Sequence, residues 1–143
     1  MDFHPSATSV LFIDDHISQR ADWADQLKQC SQDYEILEAS DAQSGLELCR
    51  SRKIDCVVLE LDLPGRSGFE LLVELVPLAS RPTRAVIVLT KISHRAVWDL
   101  AMDSVAYACF YKQHTTGKDL DKAIQRAVSL IGQMPKEDRY RPL

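Results

Sequence analysis

Apolar positions along the chain fall into two kinds of run, and the contrast between them predicts the elements. Ser9-Val10-Leu11-Phe12-Ile13, Cys56-Val57-Val58-Leu59 and Ala85-Val86-Ile87-Val88-Leu89-Thr90 are short stretches with almost no polar interruption. A strand with one face in water would alternate, so unbroken runs of this length predict strands covered on both faces. Ala106-Tyr107-Ala108-Cys109-Phe110-Tyr111-Lys112 predicts another strand, and Tyr34-Glu35-Ile36-Leu37-Glu38 alternates as an edge strand does.

Between these runs the apolar spacing becomes helical. Ala21, Ala24, Leu27 and Cys30, with Trp23 beside them, predict an amphipathic helix from Ser18 to Cys30. Ser40-Asp41-Ala42-Gln43 has the form of a capping box, in which the Ser and Gln side chains each satisfy one orphan amide. The helix it opens carries Ala42, Leu46 and Cys49 on one face and closes in the basic Arg50-Ser51-Arg52-Lys53. Ser67-Gly68-Phe69-Glu70 forms a second such box, opening a helix with Phe69, Leu72, Val73 and Val76 inward that Pro77 and Pro82 end. A further helix runs from about Ser93 to Met102 and carries an outward Trp98. The last, Thr116 to Ile131, has Leu120, Ile124, Ala127, Val128 and Ile131 on one stripe.

Five strands alternating with five helices imply right-handed crossovers, a parallel sheet and helices on both faces. That is the doubly wound α/β class, and it collects the carboxyl ends of the strands in one crevice. One domain over residues 8–131 is expected, after an unpaired leader and before a tail or linker at 132–143.

Composition narrows the function classes. With 143 residues and 45% hydrophobic content, one core is affordable and two are not. A net charge of -4 and no run of Lys or Arg longer than two residues give no attraction to nucleic acid by this chain alone. No apolar run approaches a membrane span and the first residues lack a secretory pattern, so a cytoplasmic protein without membrane contact is expected. Cys30, Cys49, Cys56 and Cys109 match neither a CxxC pair nor a zinc pattern, and are expected to be small reduced core residues.

The strand ends deliver Asp14 and Asp15 from the first strand, Glu60 from the third, Thr90 from the fourth and Lys112 from the fifth. This constellation, with the Leu63-Pro64-Gly65 turn and Ser67-Gly68-Phe69-Glu70, resembles the receiver domain of bacterial two-component response regulators. The resemblance covers residues 8–131 and implies a flavodoxin-like fold with strand order 2-1-3-4-5. It implies that Asp14 and Asp15, with the backbone of Asp62, hold Mg2+. By the same resemblance an aspartate after the third strand accepts a phosphoryl group from a histidine kinase, and Thr90 and Lys112 contact its oxygens.

Several positions depart from the family pattern. The phosphoacceptor position holds Glu60, one methylene longer than Asp, with Asp62 two residues beyond it as an exposed loop acid. Lys91 follows Thr90 where the family has a small residue, and Cys109 stands where a switch aromatic is expected. Gln113 replaces the proline after Lys112, so a trans bond is expected there, a cis bond costing ~2.5–4 kcal/mol without proline. In-line phosphoryl transfer tolerates little displacement, about 1 Å costing roughly 10²-fold in rate, which argues against efficient transfer to Glu60. The longer carboxylate is expected instead to approach Thr90 and Lys112, where a phosphoryl oxygen would sit.

Two carboxylates about 5 Å apart repel by roughly 3 kcal/mol at an effective dielectric of 20, so three with only Lys112 nearby are unfavourable unless another cation enters or one carboxylate protonates. Mg2+ is the family's solution; Lys91 folded over the site is the alternative. The expectation is therefore a non-enzymatic signalling module with no catalytic residues. It meets a histidine kinase, a downstream effector or a second copy of itself through its fourth helix, fifth strand and last helix, where Trp98 and Tyr107 are expected at the surface. Rival readings are a receiver phosphorylated on Glu60 or Asp62, a small metal-dependent phosphotransferase or hydrolase, and a regulatory domain cut from a larger protein with a DNA-binding output.

Overall fold

Burial on both faces turns the unbroken apolar runs into strands. The computed structural model describes residues 7–75, 84–103 and 106–131. Its elements in order are β1 (Thr8–Ile13), α1 (Ile17–Cys30), β2 (Tyr34–Ala39), α2 (Ala42–Ser51), β3 (Cys56–Leu59), α3 (Gly68–Leu75), β4 (Ala85–Thr90), α4 (Arg95–Asp103), β5 (Ala108–Tyr111) and α5 (Gly117–Ser129). All strand pairs are parallel and the order is β2-β1-β3-β4-β5, the flavodoxin-like arrangement. Every residue of β3 and β4 is buried, whereas β2 at the edge is only partly covered.

Side-chain alternation divides the core between the two faces of the sheet. Val10, Phe12, Cys56, Val58, Ile87 and Leu89 pack with Trp23, Ala24 and Leu27 of α1 and Leu120, Ile124 and Ala127 of α5. Leu11, Ile13, Val57, Leu59, Val86 and Val88 pack against α2, α3 and α4. The register pairs Ile13 with Leu59, Leu59 with Val88 and Val88 with Cys109, so the residues that follow these strands emerge at one end of the sheet.

Helix starts fall close to their expected places, with two changes in how they are capped. Asp41, not Ser40, caps α2: its carboxylate accepts from the Ser44 amide at 2.7 Å and the Ser44 hydroxyl at 2.8 Å. Those bonds hold the Asp41 carboxyl below its usual range. At α3 the Ser67 hydroxyl accepts from the Phe69 amide, while Glu70 turns to Arg66 at 3.6 Å instead of closing the box. The complete box is at α5, where Thr116 and Asp119 cap each other reciprocally. Gly65 has φ +81, a left-handed conformation that glycine adopts without strain. A Cβ on Gly68 would lie 2.5 Å from the Leu61 Cα, so the turn after β3 closes onto α3 only with glycine there.

Several expected faces are rotated. In α3 Leu71, Leu72 and Leu75 are buried, Phe69 is partly covered and Val73 is 59% exposed. Val76, Pro77 and Pro82 lie outside the described residues, as does the tail from 132. Trp98 is buried rather than outward, because its indole N–H donates to the Ile92 carbonyl at 2.8 Å and so keeps a partner inside the protein. Tyr107 is fully buried, immediately before β5. Cys30, in the last turn of α1, is exposed, while Cys49, Cys56 and Cys109 are buried thiols. The fifth strand is shorter than expected: Lys112–His114 form a single 3-10 turn after Tyr111, and the described backbone contains no cis peptide.

Candidate functional site

The site grows from the backbone at the end of β3. The Glu60 amide donates to the Ile13 carbonyl at 3.0 Å, prolonging the β1–β3 ladder by one residue and fixing the Cα position. From there the side chain lies wholly inside, with none of its surface exposed. Oε1 accepts from the Lys91 amide at 3.0 Å and forms an ion pair with the Lys112 ammonium at 3.1 Å. Oε2 accepts from the Asp62 amide at 3.0 Å and from the Thr90 hydroxyl. Four donors from three loops converge on one carboxylate, which is the condition under which a buried charge is tolerated.

Lys112 joins this carboxylate to the first acidic loop. Its ammonium is 2.7 Å from Asp14 Oδ2 and 3.3 Å from Gln19 Oε1, and the Lys112 side chain is 8% exposed. Asp14 Oδ1 accepts from the His16 amide at 2.9 Å, so both its oxygens are engaged. Arg20 holds the same loop from α1, donating to the Asp14 carbonyl at 2.6 Å and pairing with Glu38 at 2.8 Å. Asp15 Oδ1 is buried and accepts no hydrogen bond. Asp62 is exposed, as expected for a loop acid, and its Oδ2 lies 3.3 Å from Lys91 Nζ. Lys91 Nζ is also 3.3 Å from His16 Nε2. The Asp62 bond holds the Lys91 ammonium above the usual lysine value, and the charges of Asp62, Glu60 and Asp15 add to that.

The donor set does not fit a divalent ion as it stands. Mg2+ requires near-octahedral oxygens at about 2.0–2.1 Å. Here both oxygens of Asp14 and of Glu60 are committed to protein donors and Asp62 Oδ2 is paired with Lys91, while Asp15 Oδ1 is buried without a hydrogen-bond partner. Among the described residues no three His, Cys, Asp or Glu side chains converge on a metal position.

Thus Asp14, Asp15, Glu60, Thr90, Lys91, Lys112 and Asp62 share one end of the sheet. Cys109 does not reach it: it is buried within β5, in the layer beneath α4. Two contributors escaped the sequence reading. Gln19 and Arg20 sit one turn into α1, on the face above the Asp14 loop, a position that only the placement of α1 identifies. The second is a chain of contacts leading away from Glu60. The Ile92 amide donates to Thr90 Oγ1 at 3.1 Å, the Ile92 carbonyl accepts from Trp98, and the Trp98 ring lies 6.1 Å from that of Tyr111. Tyr111 meets His114 edge-on at 4.9 Å. These rings border a cavity of about 410 Å³ between α4, β5 and α5, whose rim includes Lys122 and Arg126.

Comparison with known proteins agrees with this fold. Residues 10–125 match the family model for the response regulator receiver domain. The chain is 35% identical over 121 residues to the transcriptional regulatory protein PdtaR of Mycobacterium tuberculosis, an alignment covering 84% of this chain and 56% of PdtaR. It is 29% identical over 98 residues to the sensory transduction protein LytT of Bacillus subtilis, covering 68% of this chain and 40% of LytT. The chain therefore spans about half the length of these relatives or less. A response regulator receiver domain protein from Clostridium thermocellum superposes with a TM-score of 0.73 at 28% identity, over 85% of this chain and 94% of that one.

Proposed function

The chain belongs to the response regulator receiver family, and we propose that it is a pseudo-receiver in which Glu60 takes the place of a phosphorylated aspartate and keeps the domain in one signalling conformation. The observation that carries this is the pair of bonds from Thr90 and Lys112 to the Glu60 carboxylate. In the family these two positions meet phosphoryl oxygens; here a carboxylate one methylene longer than Asp already supplies oxygens to both. With four donors engaged, Glu60 is a poor nucleophile toward a phosphodonor, because attack would require those bonds to break first.

Signalling then passes to the face formed by α4, β5 and α5. Cys109 supplies no switch aromatic, and the contacts from Thr90 through Ile92 to Trp98 and Tyr111 take over that role. The cavity beside Trp98 and Tyr111, with Lys122 and Arg126 at its rim, receives a side chain of a protein partner or of a second copy of the chain. PdtaR carries the name of a transcriptional regulator and LytT that of a sensory transduction protein, which supports a regulatory output exerted through such contacts.

The test compares the natural protein with Glu60→Gln and Glu60→Asp by amide and indole NMR and by acetyl phosphate labelling with mass spectrometry. Glu60→Gln is expected to shift the Trp98 indole and the Tyr111 amide, and the natural protein to take no label at Glu60 or Asp62. A Glu60→Gln spectrum changed only beside residue 60, or stoichiometric labelling of the natural protein, overturns the reading.

A further inference from the structure

Both carboxylates nearest Lys112 are satisfied by it, yet the mouth of the crevice holds two more acids, Asp15 and Asp62. We infer that the Lys91 ammonium is the built-in substitute for the divalent cation of this pocket, so that the site is balanced without metal and excludes it. The inference deepens the pseudo-receiver reading at its own site. It is separable from that reading, since metal occupancy and the conformation at Trp98 are measured independently.

Three observations on separate elements support it. The Lys91 backbone is pinned, because its amide donates to Glu60 Oε1, so the side chain starts at the lip of the crevice directly after β4. Its side chain, 44% exposed, lies along the mouth of the crevice, and Nζ meets Asp62 from the loop after β3 and His16 from the loop after β1, each at 3.3 Å. An ordinary surface lysine has no reason to bridge two loops, since ordering a long side chain costs rotamer entropy that one exposed ion pair barely offsets. Finally, Asp15 Oδ1 is buried without a hydrogen bond, and the nearby charge of Lys91 is attracted to it. In a site built for Mg2+ that oxygen would be a ligand. Here the Lys91 ammonium, bound to Asp62 and His16 at the same mouth, supplies a positive charge already attached to the chain, with which a second cation would have to compete.

The experiment titrates Mg2+ into the natural protein, Lys91→Ala and Lys91→Arg, read by calorimetry and by shifts of the Asp14, Asp15 and His16 amides. Mn2+ serves as a paramagnetic probe of position. The natural protein and Lys91→Arg are expected to show no saturable binding at millimolar Mg2+. Lys91→Ala is expected to gain roughly tenfold or more in affinity, as loss of one partly screened like charge beside an incoming cation predicts. Its Tm should rise with added Mg2+, as for any ligand that binds only the folded state. Saturable Mg2+ binding by the natural protein at these amides overturns the inference, and so does a Lys91→Ala variant, folded by its NMR spectrum, that remains indistinguishable from the natural protein. If Glu60→Gln leaves the Trp98 region unchanged while Lys91→Ala acquires metal, the mimic reading fails and this one stands.

Discussion

Lys112 shows how much one side chain can be asked to hold. It is 8% exposed and neutralises two carboxylates that are themselves 7% and 0% exposed. Removing one partner of a buried ion pair leaves the other uncompensated, at a cost of about 3–5 kcal/mol. Lys112→Met is therefore expected to lower the urea midpoint by a corresponding amount without changing the slope. Lys112→Met combined with Glu60→Gln should cost less than the two changes added, because they share one network. Asp14, Glu60, Thr90 and Lys112 were readable in the sequence for a simple reason: a parallel sheet fixes where strand ends go, so the polar residue that closes each apolar run is placed by topology alone. The burial of Trp98 was not readable in that way. It depends on the Ile92 carbonyl being free to accept the indole N–H, a fact about a loop six residues away that no periodicity encodes.

Among the elements, β2 and α5 are tied by polar contacts outside the core. Tyr34 on β2 donates its hydroxyl to Asp121 of α5 and accepts from Gln125 at 3.0 Å. Burial, then the bond to Asp121 and its charge, push the Tyr34 phenol well above its ordinary value. A raised pKa means that the folded state favours the protonated phenol. The stabilisation is complete below the unfolded value of about 10 and is lost as pH rises beyond it. Tyr34→Phe should cost about 1 kcal/mol at neutral pH. Between about pH 8 and about pH 11 the natural protein should lose more stability than the variant, as compared by urea melts at both ends. The α3 face illustrates the opposite limit of sequence reading. Gly68-Phe-Glu-Leu-Leu-Val-Glu-Leu75 is apolar on most sides, so its pattern admits several inward faces, and only packing selects Leu71, Leu72 and Leu75 over Val73. In β3 and β4, and in β1 after Thr8, no such choice exists, since both faces are covered and every residue is buried.

At the scale of the whole molecule, stability is graded from the middle of the sheet outward. β3 lies between β1 and β4 with every residue buried, while β2 has a free edge and a mixed burial pattern. Native-state hydrogen exchange should find the Val57 and Val58 amides opening only through global unfolding, and β2 amides through cheaper local openings. Equal protection in the two strands would contradict this gradient. The same central strand carries Glu60 at its end, so the site hangs from the part of the fold least able to yield. One consequence concerns time. A phosphoryl group is attached through a labile bond and sooner or later hydrolyses, whereas the oxygens that Thr90 and Lys112 hold here belong to a carbon skeleton that no water cleaves. If Glu60 acts as the proposed mimic, such a device has no clock and no reset, and a cell that relies on it would adjust the response through how many copies it makes and degrades.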